Sequence, residues 1–239
     1  MRKNISLPPH TVDFHSHILP GVDHGSRDLA MASAQWELLR RAGLSAVVAT
    51  PHFYAHEEAS VKAFLARRDA AAASLLSAVP EGGPRLYLGA EVLVCRGLEE
   101  LPDLRELCIA GTDVMMLEMP LGGWSREHLD TVACIAERGI VPLLAHIDRY
   151  PLRNLDALYG NDRFLYQVNV TSLMGLGRVA RYFRRMLRAG AIAALGSDLH
   201  GLPQDGYGRY LRAFGRAGEA LSEVNAHTSE LLSTAVPFA

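Results

Sequence analysis

Short apolar runs alternate along this chain with longer stretches whose apolar positions recur every three or four residues. The short runs, at residues 12–18, 46–49, 85–94, 104–109, 114–119, 141–145, 164–170 and 191–195, read as strands. The longer ones, at 28–42, 57–79, 125–138, 152–159, 173–189 and 207–232, read as helices. Asp28 is placed to cap the first helix and Gly43 to stop it; Ser125 and Glu127 open the third and Gly139 ends it. Strands alternating with helices argue for a parallel β/α architecture, either a barrel or an open sheet. The polar residues favour the barrel. His17, His52, Glu91, Glu118, His146 and Asp198 all lie in or just after an apolar strand-like run. Strand C-termini converge on one face of a barrel, whereas an open sheet spreads them along an edge. No linker and no internal repeat divides residues 1–239, so a single domain is expected, with the Gly/Pro clusters at 80–84 and 201–206 as loops.

Composition narrows the function. The 239 residues are 49% apolar and 21% charged, which is globular, and the formal net charge of −2 provides no global field for nucleic acid or anionic membrane. Locally, Arg178, Arg181, Arg185 and Arg188 recur at helical spacing with Arg184 beside them, either as a solvated helix face or as a dock for an acidic partner. Cys95, Cys108 and Cys134 lack paired spacing and are expected to be buried free thiols in a reducing cytoplasm. None begins the Cys-to-Arg loop of thiol-based phosphatases. No apolar segment reads as a signal peptide or reaches the roughly 18 residues that span a membrane.

Histidines and acids carry the chemistry. His15 and His17 stand two apart in a strand and so share a face. Asp198 and His200 repeat the spacing after another apolar run. His24, His52 and His146 also fall at strand ends or in the loops just beyond; His10, His56, His128 and His227 do not. Glu91 and Glu118 are flanked by apolar residues, where a carboxylate is costly to bury. A cation explains both, while an arginine salt bridge explains one. Mixed imidazole and carboxylate ligation suits zinc, manganese or iron rather than calcium. Nine candidate ligands exceed the needs of one ion, so two or three divalent metals sharing a carboxylate are expected. Such a cluster lowers the pKa of water and clamps the oxygens of a phosphoryl displacement. Lysine occurs only at Lys3 and Lys62, the latter in a helical stretch, which excludes a carbamylated-lysine bridge. Arg149, three residues after His146, has the planar fork to hold a phosphate oxygen, or else forms a loop salt bridge.

The ordered motifs resemble a family. Asp13-Phe14-His15-Ser16-His17-Ile18-Leu19-Pro20-Gly21-Val22-Asp23-His24-Gly25 is followed by Ala49-Thr50-Pro51-His52, Leu117-Glu118-Met119-Pro120, Ala145-His146-Ile147-Asp148-Arg149-Tyr150, Gln167-Val168-Asn169 and Gly196-Ser197-Asp198-Leu199-His200. From about residue 11 to 233 this is similar to the PHP (polymerase and histidinol phosphatase) superfamily, specifically its capsular-polysaccharide-type protein-tyrosine phosphatases. The resemblance implies a distorted seven-stranded (β/α)7 TIM-like barrel with a trinuclear site, typically supported by manganese. By analogy His15, His17, Glu91 and Asp198 hold one metal, and Glu91 bridges to a second completed by Glu118 and His146. His24, His52 and His200 hold the third, and Arg149 binds phosphate. Three positions depart from the family: His24 replaces the usual Asp, Ile147-Asp148 replaces Pro-Glu, and the first arginine after His200 is Arg209.

The implied activity is hydrolysis of a phosphomonoester, foremost phosphotyrosine on a protein, by in-line attack of a hydroxide that the metals activate. Asp148 stands as the acid for a poorer leaving group. The implied partner is an autophosphorylating tyrosine kinase controlling polysaccharide export. Alternatives are a PHP phosphatase of a small phosphoester (histidinol phosphate, a sugar phosphate or a nucleotide) and an inactive metal-binding regulator. A single-metal zinc deaminase also begins with His-x-His but leaves Glu91 and Glu118 unexplained.

Overall fold

The computed structural model describes residues 7, 10–155, 163–201, 212 and 219–239. Strands and helices follow as β1 (Val12–Ser16), α1 (Leu29–Ala42), β2 (Ala46–Ala49), β3 (His52–Phe53), α2 (Val61–Ala78), β4 (Arg85–Leu88), β5 (Glu91–Leu93), β6 (Val114–Glu118), α3 (Arg126–Glu137), β7 (Val141–Leu144), α4 (Leu152–Leu155), β8 (Leu165–Asn169), α5 (Arg178–Arg188), β9 (Ala194–Gly196) and α6 (Glu219–Leu231). The strands pair in the orders β1-β2-β4 and β3-β5-β6-β7-β8-β9, and the pairings are parallel.

The two sheets join at a shared step. Pro51 has no N–H for a ladder, and the run expected at 85–94 leaves its own ladder at Gly89-Ala90. Two neighbouring strands therefore break side by side. They resume in unchanged register, Ala49 opposite Leu88 before the step and His52 opposite Glu91 after it. Arg68, buried on α2, donates to the Gly89 carbonyl at 3.1 Å and braces the step. Beyond it the sheet curls until Ser16 bridges Leu199, and the Asp198 N–H donates to the His15 carbonyl at 2.9 Å. The result is a mixed α/β fold around a curled parallel sheet.

β1 carries a bulge. Its register with β2 slips by one residue between Asp13 and Ser16. Strict alternation would set Val12 and Phe14 on the face opposite His15 and His17. The extra residue lets both pairs turn inward: Val12 and Phe14 pack with Val48, Met116 and Leu143, while the two imidazoles reach the polar centre described below. Bulges re-aim side chains in this way. A larger apolar layer, including Trp36, Leu39, Phe64 and Phe183, packs the helices onto the outside of the strands.

Local signals account for the helix ends. The Asp28 side chain accepts from the Met31 N–H at 2.8 Å, and Gly43 closes α1 in the left-handed region at φ 76°. α2 begins later than its apolar periodicity suggests, because the Glu57 and Glu58 N–H groups fold back onto the Tyr54 carbonyl and Ser60 becomes the cap. Ser125 and His128 form a capping box on α3, so His128 is committed to structure. The run at 104–109, expected as a strand, instead contains a 3-10 turn over Leu104–Leu107 entered through Asp103 at φ 59°. Its buried residues, Leu104 and Leu107, lie three apart, which suits one helical turn. The expected helix at 173–189 is shorter, with a 3-10 turn at Val170–Leu173 before α5. Of the expected helices at 152–159 and 207–232, residues 156–159, 207–211 and 213–218 lie outside the described residues, as do Arg209 and most of the loop at 201–206. The three cysteines are free, but only Cys108 is buried; Cys95 is half-buried and Cys134 exposed. No helix among the described residues is long and apolar enough to cross a membrane.

Gly196 passes against β1 so closely that a Cβ there would lie 2.5 Å from the His15 Cβ and 2.9 Å from its backbone nitrogen. Gly196→Ala is expected to cost about 1–3 kcal/mol through overpacking, read as a lowered Tm, with His15 displaced.

Candidate metal centre

Glu91, the first residue of β5, is fully buried, and four imidazoles surround its carboxylate. Oε2 lies 3.2 Å from His15 Nε2, His17 Nε2 and His52 Nδ1, and Oε1 lies 2.6 Å from His146 Nε2. Strand ends deliver every member: His15 and His17 close β1, His52 opens β3 after Pro51, His146 follows β7, and Asp198 and His200 follow β9. Glu118, the last residue of β6, places its oxygens 3.7 Å from His52 Nδ1 and from His146 Nε2. Asp198 Oδ1 lies 3.5 Å from His17 Nε2 and 3.4 Å from His200 Nδ1.

Three groups result, each with its donor atoms within 4.8 Å of one another: His15–His17–Glu91–Asp198, His52–Glu91–Glu118 and His17–His52–His200. They overlap at Glu91, His17 and His52. Glu91 Oε2, Asp198 Oδ1 and His52 Nδ1 are buried without a well-formed hydrogen bond. Buried lone pairs without a donor are costly, and cations held among them remove that cost. The donor set therefore fits divalent metal ions.

Charge coupling is strong here. Burial opposes the imidazolium form of His15 and His17, but Glu91 and Asp198, joined at His17 by Asp23, outweigh it and raise both pKa values. Burial likewise opposes the carboxylates of Glu91 and Asp198, but the surrounding histidines hold both below the usual range. At His52 and His200 burial prevails, moving them down to about 3 and about 4, so both are neutral at pH 7. Glu118 is raised by burial and by neighbouring Glu91.

Several polar residues that were not singled out as site residues orient the ligands. Asp23 accepts from His17 Nδ1 at 2.7 Å and from the His52 N–H at 3.0 Å. Gln167 Oε1 lies 3.2 Å from His15 Nδ1 and accepts the His146 N–H at 2.5 Å. With Nδ1–H directed at these oxygens, His15 and His17 turn the Nε2 lone pairs toward the centre. Asp13 Oδ1 accepts the Ser197 N–H at 2.7 Å, and Asn169 Nδ2 donates to Asp198 Oδ2 at 3.0 Å. Their sequence signal is the same as for His15 and His17: Gln167 and Asn169 are polar residues two apart in a buried strand.

The remaining expected residues lie at the margin. His24 is exposed, its ring 4.6 Å from those of His52 and His200, and it belongs to none of the three groups. Arg149 donates to Asp198 Oδ2 at 3.1 Å with its side chain 39% exposed, leaving its other N–H groups without an ion pair among the described residues. Asp148 belongs to none of the three groups and accepts the Asn169 N–H and the Ser172 hydroxyl, and burial raises its pKa. His146 and Asp198 have left-handed backbones, at φ 31° and 50°, a strain of order 1–3 kcal/mol each that clusters at functional sites.

Because His15 and His17 are raised yet must be neutral to bind metal, adding manganese to chelator-stripped protein at pH 7 is expected to release protons. Calorimetry in buffers of different ionisation enthalpy measures this; buffer-independent heats would contradict it. The release should fade as pH rises above the two pKa values. Asp23→Ala removes the acceptor that orients His17 and should weaken metal binding by about 10–100-fold in a chelator competition.

The family described as "Capsular polysaccharide synthesis, CpsB/CapC" matches residues 11–205. Tyrosine-protein phosphatase YwqE of Bacillus subtilis (strain 168) is 28% identical over 206 residues, covering 79% of this chain and 77% of that protein. Tyrosine-protein phosphatase CpsB of Streptococcus pneumoniae is 26% identical over 215 residues, covering 80% and 83%. The fold matches a solved structure from a study of YwqE and CpsB, "unique metal-dependent tyrosine phosphatases", at a TM-score of 0.77 and 21% identity, covering 94% of this chain and 95% of that one. With its motifs on the strand ends of the same fold, this chain belongs to the CpsB/CapC capsular polysaccharide synthesis family.

Proposed function

We propose that this chain is a metal-dependent protein-tyrosine phosphatase, a single domain on a distorted (β/α)7 barrel of the PHP type. Its partner is an autophosphorylating tyrosine kinase of polysaccharide biosynthesis and export. The observation that carries the reading is Glu91, a buried carboxylate shared between donor groups with an oxygen left bare. The relatives named as tyrosine-protein phosphatases support the substrate class, and the family's place in capsule synthesis supports the partner. The barrel is supported by the in-register step, which makes β2 with β3 and β4 with β5 one stave each, and by the Ser16–Leu199 bridge between last stave and first.

His15, His17, Glu91 and Asp198 would hold one ion and Glu91, Glu118 and His146 a second, with His52, His200 and His24 for a third. Manganese is favoured, with iron or zinc as substitutes. Bound there, the ions supply a nucleophile at neutral pH and neutralise phosphate charge, which a reaction needing up to about 10²¹-fold acceleration demands.

The chain's own residues supply the rest. Arg149, steadied by Asp198 Oδ2, offers its remaining N–H groups to the equatorial phosphate oxygens, where charge is held in the transition state. Asp148 acts by position: it holds the backbone of Asn169, whose amide braces Asp198. A tyrosine phenoxide is a good leaving group and asks little acid assistance.

The test is phosphate release from a phosphotyrosine peptide by metal-free protein and after manganese is restored, with histidinol phosphate as competitor. Metal-dependent turnover preferring the peptide is expected. Preference for the small ester would move the chain to a small-molecule branch, and no release despite bound metal would defeat the reading. Arg149→Ala should lower kcat/KM by about 10²–10³-fold with metal content retained.

A further inference from the structure

α5 is the most one-sidedly charged element of the structure. Its eleven residues include Arg178, Arg181, Arg184, Arg185 and Arg188 and no acid, on a chain of formal net charge −2. No carboxylate among the described residues lies within ion-pair distance of any of the five. Arg181 and Arg184 fold back onto the carbonyls of Leu176 and of Leu173 and Gly175, fixing the preceding loop. Arg178, Arg185 and Arg188 are exposed, and their guanidinium groups make no hydrogen bond or ion pair among the described residues, that of Arg185 lying over the Tyr182 ring at 5.9 Å. Arg178 also stands in the first turn, where the helix dipole disfavours a cation, with Gly177 ahead of it offering no side-chain cap. Local stability does not explain that placement.

The face begins on the strand-end side of the fold, where the metal centre lies. β8 and β9 are parallel, so α5, which connects them, starts at the C-terminal ends of the strands and runs back along the flank. Asn169, which touches Asp198, precedes Arg178 by the 3-10 turn at Val170–Leu173 and a short loop. On that loop and the first turn stand Leu176, 87% exposed, and Val179, 46% exposed. Leu176 is the most exposed large apolar side chain among the described residues. Exposed guanidinium groups that meet no acid, beside exposed apolar side chains, are complementary to an acidic protein segment.

We infer that the arginine face of α5, with Leu176 and Val179 at its upper end, docks an acidic segment flanking the phosphotyrosine of the protein substrate. This rests on the phosphatase reading above for the phosphotyrosine alone. Geometry favours a peptide over a lipid surface. Arg178 to Arg188 spans about 15 Å of helix, the length of about five extended residues. A strand of acidic residues leaving the strand-end side reaches the whole face. A flat membrane facing the strand ends meets only its Arg178 end, and one lying along the flank turns the strand ends aside.

The test uses two tyrosine peptides, one flanked by five glutamates and one by five glutamines. Each is measured unphosphorylated for binding by fluorescence anisotropy and phosphorylated for kcat/KM. Wild type should bind the acidic peptide and prefer its phosphorylated form by about tenfold at low salt, from several exposed charge pairs, falling toward parity in high salt. The Arg178→Gln, Arg185→Gln, Arg188→Gln triple variant, which keeps helix-forming side chains, should lose that preference, and the matching lysine triple should recover most of it. Equal handling of the two peptides by wild type, or an unchanged preference in the glutamine triple, would overturn the inference. Arginine-dependent pelleting with phosphatidylglycerol vesicles, without discrimination between the peptides, would overturn it in favour of a membrane. Arginine-dependent binding with no hydrolysis of either phosphopeptide would defeat the phosphatase reading and leave the docking surface standing.

Discussion

One buried carboxylate organises this molecule. Glu91 has no solvent exposure and four imidazoles within contact distance, and one of its oxygens lacks a hydrogen-bond donor. In an apolar interior that arrangement is unfavourable unless cations complete it. The strand step at Gly89-Ala90 serves the same end. It lets the strand leave one sheet and enter the next with Glu91 as the first residue of the new ladder, directly opposite His52. The fold delivers its central ligand by breaking two strands together without changing their register.

Orientation comes from a second layer of polar groups. Asp23, Gln167 and Asn169 each hold a candidate ligand by a hydrogen bond, and Gln167 holds two from one oxygen. The same layer links the centre to its rim, because Asn169 braces Asp198, Asp198 steadies Arg149, and Asp148 holds the backbone of Asn169. Left-handed backbones at His146 and Asp198 show the chain bent hard to bring these groups in. Strain of that kind persists where surrounding contacts over-determine it.

Much of this was legible along the chain. His15 with His17 and Asp198 with His200 announce themselves by period-two spacing after apolar runs, and Glu91 and Glu118 by being acids among apolar neighbours. Asp28, Gly43 and Ser125 mark helix ends through capping chemistry that depends only on local sequence. Less legible were elements whose conformation is set by distant partners. Leu104–Leu107 has the apolar content of a strand, but its burial pattern is that of a turn. Residues 85–94 read as one strand because nothing local says that the neighbouring strand breaks at Pro51.

The sequence by itself determined the alternation of strands and helices and the identity of the histidines and acids at strand ends. Those are properties of residue type and short-range spacing. Only the tertiary structure decided which donors share a centre, that Glu91 stands at the middle and His24 at the edge, and that a bulge turns Phe14 and His15 inward together. It alone showed that Asp148 is held by Asn169 and Ser172 and that the arginines of α5 meet no acid among the described residues. These are distances between groups far apart in the chain, set by strand register and sheet curl, which no local pattern encodes.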